Sequence, residues 1–140
     1  MASTNMELVR SIYADWERGD FRSTAWTDAE FEIVAADGAE TGSAGLAETV
    51  EGIREFLSAW EDFRITAEEY KQLDSERILV LDRRSGRSKT TGLDLAKMRT
   101  QGARLFHVRD GKVTRLVIYL ERPRALADLG LSSEAGSPDT

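Results

Sequence analysis

Apolar residues recur at helical spacing in the first stretch of the chain: Met6, Val9, Ile12, Tyr13 and Trp16 share one face, the i, i+3, i+4 pattern of a half-buried helix. Thr4 followed three residues on by Glu7 predicts a capping box at its start, and Gly19 predicts its stop. Asp20 is suited to cap a short second helical turn from Phe21 to Trp26. The period then changes to two. In EFEIVAA, Phe31, Ile33 and Ala35 alternate with Glu30, Glu32 and Val34, which predicts a strand. DGAETGSAG supplies turn chemistry, after which Val50, Ile53, Phe56, Leu57 and Trp60 restore helical spacing for a helix ending near Asp62.

From Phe63 the chain reads as extended runs: FRITAEEYKQL, ERILVLDRR, KTTGLDLAKM continuing through ARLFHV, and KVTRLVIYLE. Asp74 and Ser75, SGRS at 85–88, and Asp110-Gly111 separate them by hairpin-length connections, so an antiparallel meander is expected. Gly92 and Gly102 interrupt the third run and predict bulges or kinks that curl the sheet. Pro123 suits the first turn of a last short helix, with Ala125, Leu126 and Leu129 as its apolar stripe and Gly130 as its end. The expected order is helix, helix, strand, helix, four strands, helix. It forms one domain over residues 1–131, followed by a polar, disordered tail over 132–140.

Composition narrows the function classes. A chain of 140 residues suits one domain with one core. A net charge of −6 without a basic run argues against nucleic acid and anionic membranes as partners. The absence of cysteine excludes disulfides and thiolate chemistry, and His107 alone cannot build a histidine metal cluster. No metal or organic cofactor is expected. The N-terminal stretch carries acidic residues within its apolar periodicity, unlike a signal peptide, and no run approaches the roughly 20 apolar residues of a membrane span. A cytoplasmic location is the expectation.

The element order, together with WERGDF after the first helix, VEGIREF in the helix before the sheet, FHVRDGKV at the late hairpin and IYLERPRALADLGL at the end, resembles the SnoaL-like proteins of the nuclear-transport-factor-2-like superfamily. That superfamily also holds ketosteroid isomerases, polyketide cyclases and limonene epoxide hydrolases. The resemblance covers residues 5 to 131. It implies an α+β cone, a curved antiparallel sheet wrapped around N-terminal helices, enclosing one small-molecule pocket, in a homodimer formed through the sheet. A fold of this kind hosts many activities.

Laid over the isomerase pattern with Gly38 as anchor, EFEIVAADG puts Ala35 at the position of the base, with Asp37 off register. Ile12 falls where the isomerase tyrosine would stand, with Tyr13 one residue and about 100° around the helix away. Arg104 replaces the protonated aspartic acid, a permanent cation for a neutral donor. Isomerase chemistry of the usual kind is thereby disfavoured. The epoxide hydrolase pattern finds Asp82 and Arg84 on one strand face in reversed order, without a clear second aspartate, since Asp94 and Asp110 fall in uncertain or turn positions. A solvated ion pair is the expectation there.

Arg104 shares a face with Phe106 and Val108; pointing inward it is expected to meet an internal carboxylate or an anionic ligand, and an exposed position is the alternative. His107 alternates to the opposite face, where a structural or dimer-facing role is expected. Tyr13, Trp16, Trp26, Trp60, Phe106 and Tyr119 are either core or pocket wall. The expected occupant is a small, mostly apolar molecule, anionic or enolate-bearing. Cofactor-free isomerase or cyclase chemistry, a non-catalytic ligand-binding or dimeric interaction role, and an epoxide hydrolase-like reaction stand as alternatives.

Overall fold

The computed structural model describes residues 2–21, 23–36, 42–93 and 101–131. The tail from 132, Asp37, Gly38 and Asp94 lie outside them. Helix α1 spans Ala2–Glu17 and buries Val9, Ile12, Tyr13 and Trp16, the face its periodicity predicts. It begins at Ala2, before Thr4, which therefore falls within the helix and not at its start. Gly19 ends it at φ +83° with its N–H on Trp16 O, a backbone region that costs glycine nothing.

The second helix expected from Phe21 to Trp26 is absent among the described residues. In its place Thr27 N–H bonds Thr24 O and the Trp26 indole donates to Ser23 O, one turn leading into a strand. Strand β1 is Thr27–Ala35, and β2, Gly42–Gly45, forms where turn chemistry alone was expected. β2 pairs antiparallel with β1, and the ladder overrides glycine's poor strand preference. Helix α2, Leu46–Ser58, follows directly; Glu48 accepts the Gly45 N–H at 3.0 Å. It ends at Ser58, so Trp60 opens strand β3 instead of closing the helix.

The meander runs through β3 (Trp60–Gln72), β4 (Arg77–Ser88), β5 (Gln101–Arg109) and β6 (Lys112–Tyr119). All its neighbours are antiparallel. β1 joins the other side of β6 in parallel, giving, among the described residues, one six-stranded sheet in the order β2-β1-β6-β5-β4-β3. SGRS is strand and not turn: Ser85, Arg87 and Ser88 pair with Arg64, Glu61 and Trp60. Within that stretch Asp62 and Phe63 face the single residue Gly86, with Asp62 at φ +53° and Gly86 at φ +149°. A second irregularity adds Glu68 between Ala67 and Glu69. Bulges bend a strand and increase its twist, so β3 supplies curvature that Gly92 and Gly102 were expected to supply. Gly102 pairs in register with Asp82.

The two sheet faces bury separate clusters. The inner face, with Phe31, Ile65, Ile78, Val80, Phe106 and Leu116, packs on α1. The outer face, with Leu79, Leu81, Leu105, Val117 and Tyr119, is covered by α3, Arg122–Asp128, through Ala125 and Leu126. Pro123 stands in the first turn of α3, as its fixed φ predicts.

Candidate ligand-binding site

Period-two alternation decides which side chains face inward. On β4, Ile78, Val80, Asp82 and Arg84 form one row, and on β5, Arg104, Phe106 and Val108 form the next. Of these rows Arg84 and Arg104 reach a cavity of about 730 Å³ enclosed by the inner sheet face, α1 and α2, within the range of small-molecule sites. Trp16, Phe21, Trp26, Phe31, Phe56 and Phe63 supply aromatic wall. Trp16 and Phe21 stack at 6.1 Å, Trp26 meets Phe31 edge-on at 5.6 Å, and Phe56 meets Phe63 edge-on at 4.9 Å. These ring contacts hold the wall rigid.

Of the two buried charged side chains among the described residues, Asp82 and Arg104, only Arg104 lines the cavity. Its Nη1 donates to Asp82 Oδ2 at 2.7 Å, and the Tyr13 hydroxyl donates to the same oxygen at 2.6 Å. Asp82 is wholly buried, and its Oδ1 has no hydrogen-bond partner among the described residues. Its backbone carbonyl accepts from Arg122, whose guanidinium also meets Glu68 at 2.7 Å. Arg104 also lies 5.6 Å from the Trp16 ring centroid, in cation–π range.

The electrostatics follow from burial and this pairing. Burial and the adjacent Asp82 charge push the Tyr13 phenol well above its ordinary pKa, so it stays a neutral donor. Burial works against the Arg104 cation, but Asp82 and Tyr13 together outweigh it and the pKa is raised. The solvated Asp82–Arg84 pair expected from the sequence does not form: Asp82 continues the inward row of Ile78 and Val80 and meets Arg104 across the strands. Arg84 lines the cavity farther along β4, with Nη2 on Leu120 O at 3.3 Å.

Trp16, Trp26 and Arg104 thus stand at the cavity itself. Tyr13 and Phe106 are fully buried behind it. Trp60 packs on Phe56 and Phe63, two lining residues. Tyr119 lies on the opposite sheet face under α3. His107 also lies outside the cavity; it pairs in register with Arg77 and Arg115, and burial and those two cations lower its pKa. Asp82 and the rim residues Val50 and Leu120 carry no local motif. The signal that reaches Asp82 is its place in the inward row opposite a strand bearing Arg104.

The cavity's lining carries one carboxylate among the described residues, Glu48, which is held at the start of α2 by the Gly45 N–H. No described group of three or more His, Asp or Glu side chains is arranged to hold a metal ion. No described helix is long and apolar enough to cross a membrane.

No family model matches the sequence, and no curated protein matches it. Solved structures match its fold. An NTF2-like protein of unknown function from Burkholderia pseudomallei is 19% identical with TM-score 0.69, the match covering 89% of this chain and 95% of that one. TerC, co-crystallised with polyporic acid, is 20% identical with TM-score 0.69 over 90% of this chain and 97% of its own. A candidate SnoaL-like polyketide cyclase from Jannaschia sp. CCS1 is 12% identical with TM-score 0.65 over 91% and 90%. The chain has the fold of the NTF2-like, SnoaL-like proteins.

Proposed function

We propose that this protein binds one small, mostly apolar molecule in the cavity between α1, α2 and the inner sheet face, with an acceptor oxygen of that molecule set against Arg104. One observation carries the reading: an aromatic-walled cavity of about 730 Å³ whose only buried charged lining residue, among those described, is a guanidinium. Such a donor at the buried end orients a ligand that the apolar walls attract. The likeness to TerC, co-crystallised with polyporic acid, supports a small-molecule occupant.

Binding is better supported than turnover. An isomerase or cyclase of this kind needs a base facing the acceptor. Glu48 is engaged at a helix start, and Asp82 lies outside the lining with Oδ2 taken by two donors. An epoxide hydrolase-like reaction needs a carboxylate at the substrate, and among the described residues the same two engaged carboxylates are the candidates. The reading keeps the sheet-mediated homodimer and cytoplasmic setting expected from the sequence, and takes no metal or organic cofactor. The charge of −6 stands against nucleic acid.

The test is a thermal-shift screen of the purified protein against steroids, aromatic polyketides, terpenoid epoxides and small carboxylates. A binder at 100 times its Kd adds about 2.7 kcal/mol, a rise of about 8 °C for a domain of this size. Such a rise for an apolar compound bearing an acceptor oxygen, absent for the matching hydrocarbon, is the expected result. No rise with any compound overturns the proposal.

A further inference from the structure

We infer that Asp82 is a specificity-determining residue: by balancing the charge of Arg104 from behind the cavity wall, it makes the site select a neutral, polarisable carbonyl oxygen over a carboxylate. This rests on the proposed binding function and refines its ligand class.

The arrangement is one-sided. Asp82 is fully buried, meets Arg104 at 2.7 Å and is absent from the cavity lining, while the guanidinium it holds lines the cavity. Tyr13, on α1, clamps the same Oδ2 at 2.6 Å and brings no charge of its own. The buried unit is therefore neutral overall before any ligand arrives. The remaining lining charges, Glu48, Arg54 and Arg84, are exposed or half-exposed, and Arg54 is paired with Glu51 at 3.5 Å.

A carboxylate entering on the cavity side would meet the guanidinium at about 4 Å and Asp82 at roughly 7 Å, so Asp82 cancels more than half of the Coulombic attraction. What remains falls short of the hydration a carboxylate loses on entering an apolar cavity. A conjugated ketone or quinone oxygen loses far less hydration and still takes the guanidinium's unspent N–H donors. Arg104 thus acts as a strong hydrogen-bond donor held in place, and Asp82 and Tyr13 position it.

The experiment compares two compounds of one shape, 2-acetylnaphthalene and 2-naphthoate, by titration of tryptophan fluorescence in wild-type protein and in Asp82→Asn. Wild type is expected to bind the ketone at least tenfold tighter. Asp82→Asn, which keeps an acceptor for Tyr13 but uncovers the cation, is expected to shift the preference toward naphthoate by tenfold or more. The infrared C=O stretch of the ketone bound to wild type is expected below its frequency in alkane. If Asp82→Asn does not fold, the wild-type preference and the C=O frequency decide. Naphthoate binding wild type as tightly as the ketone, an unshifted carbonyl, or an unchanged preference in folded Asp82→Asn overturns the inference and leaves the binding function standing. If neither these compounds nor any in the thermal screen bind, both fall.

Discussion

Tyr13 puts its hydroxyl on a buried carboxylate oxygen and its ring between Trp16, Tyr70 and Phe106, so its two contributions can be separated. Tyr13→Phe keeps the ring and removes one donor from a buried charged acceptor, a loss of about 2 kcal/mol. Urea denaturation is expected to show a lower midpoint with an unchanged slope; a variant as stable as wild type would mean that the hydroxyl adds nothing to holding Asp82. At this scale the sequence was half legible. For Arg104 the row shared with Phe106 and Val108 made an inward position one expected alternative beside an exposed one, and an internal carboxylate was one of its expected partners. Asp82 was not readable as that carboxylate, because Leu-Asp-Arg-Arg before Ser-Gly looks like the solvated end of a strand. The strand in fact continues to Ser88, and this extension places the carboxylate in the interior.

Elements were legible where one period ran unbroken and illegible where pairing outweighed local chemistry. α1, β1, the body of α2 and the meander follow from their apolar spacing. GSAG and SGRS carry turn residues but lie in ladders, GSAG against Glu32–Ala35 shortly before it and SGRS against Trp60–Arg64 farther back, and strand pairing outweighs the local preference of these residues. Gly102 shows the reverse case, a glycine whose reason is tertiary. A Cβ built there would stand 2.5 Å from Tyr119 O, where β6 leaves the sheet toward α3. Arg122 also bonds Gly102 O at 3.3 Å. Gly102→Ala is therefore expected to force β5 and the start of α3 apart and to cost about 2 to 3 kcal/mol, seen as a lower Tm. An unchanged Tm would show that the strands slide past the methyl group without loss.

For the whole molecule, the α+β cone was legible from element order and the quoted motifs, and the solved structures share it. The mouth of the cavity was not, because it is assembled from Val50 and Phe56 on α2 and Leu120 after β6, all exposed by more than a third. Phe56, 45% exposed, buries only part of its ring on folding and has more to bury if a ligand covers it. Phe56→Ser is expected to cost about 1 kcal/mol of stability but to weaken the tightest compound of the thermal screen about tenfold; calorimetric titration showing equal affinity would place that compound elsewhere. The strand order has a consequence for how the protein is made. β1 lies beside β6 in the sheet, although most of the chain separates them. During translation the first strand leaves the ribosome long before its partner exists, and it must wait with β2 while the meander is synthesised. The hairpins from β3 to β5 can form as they emerge, but closure of the sheet comes only after residue 119 is free. Loop closure over such a span is slow, which makes the waiting β1 edge the segment a chaperone would be expected to shield.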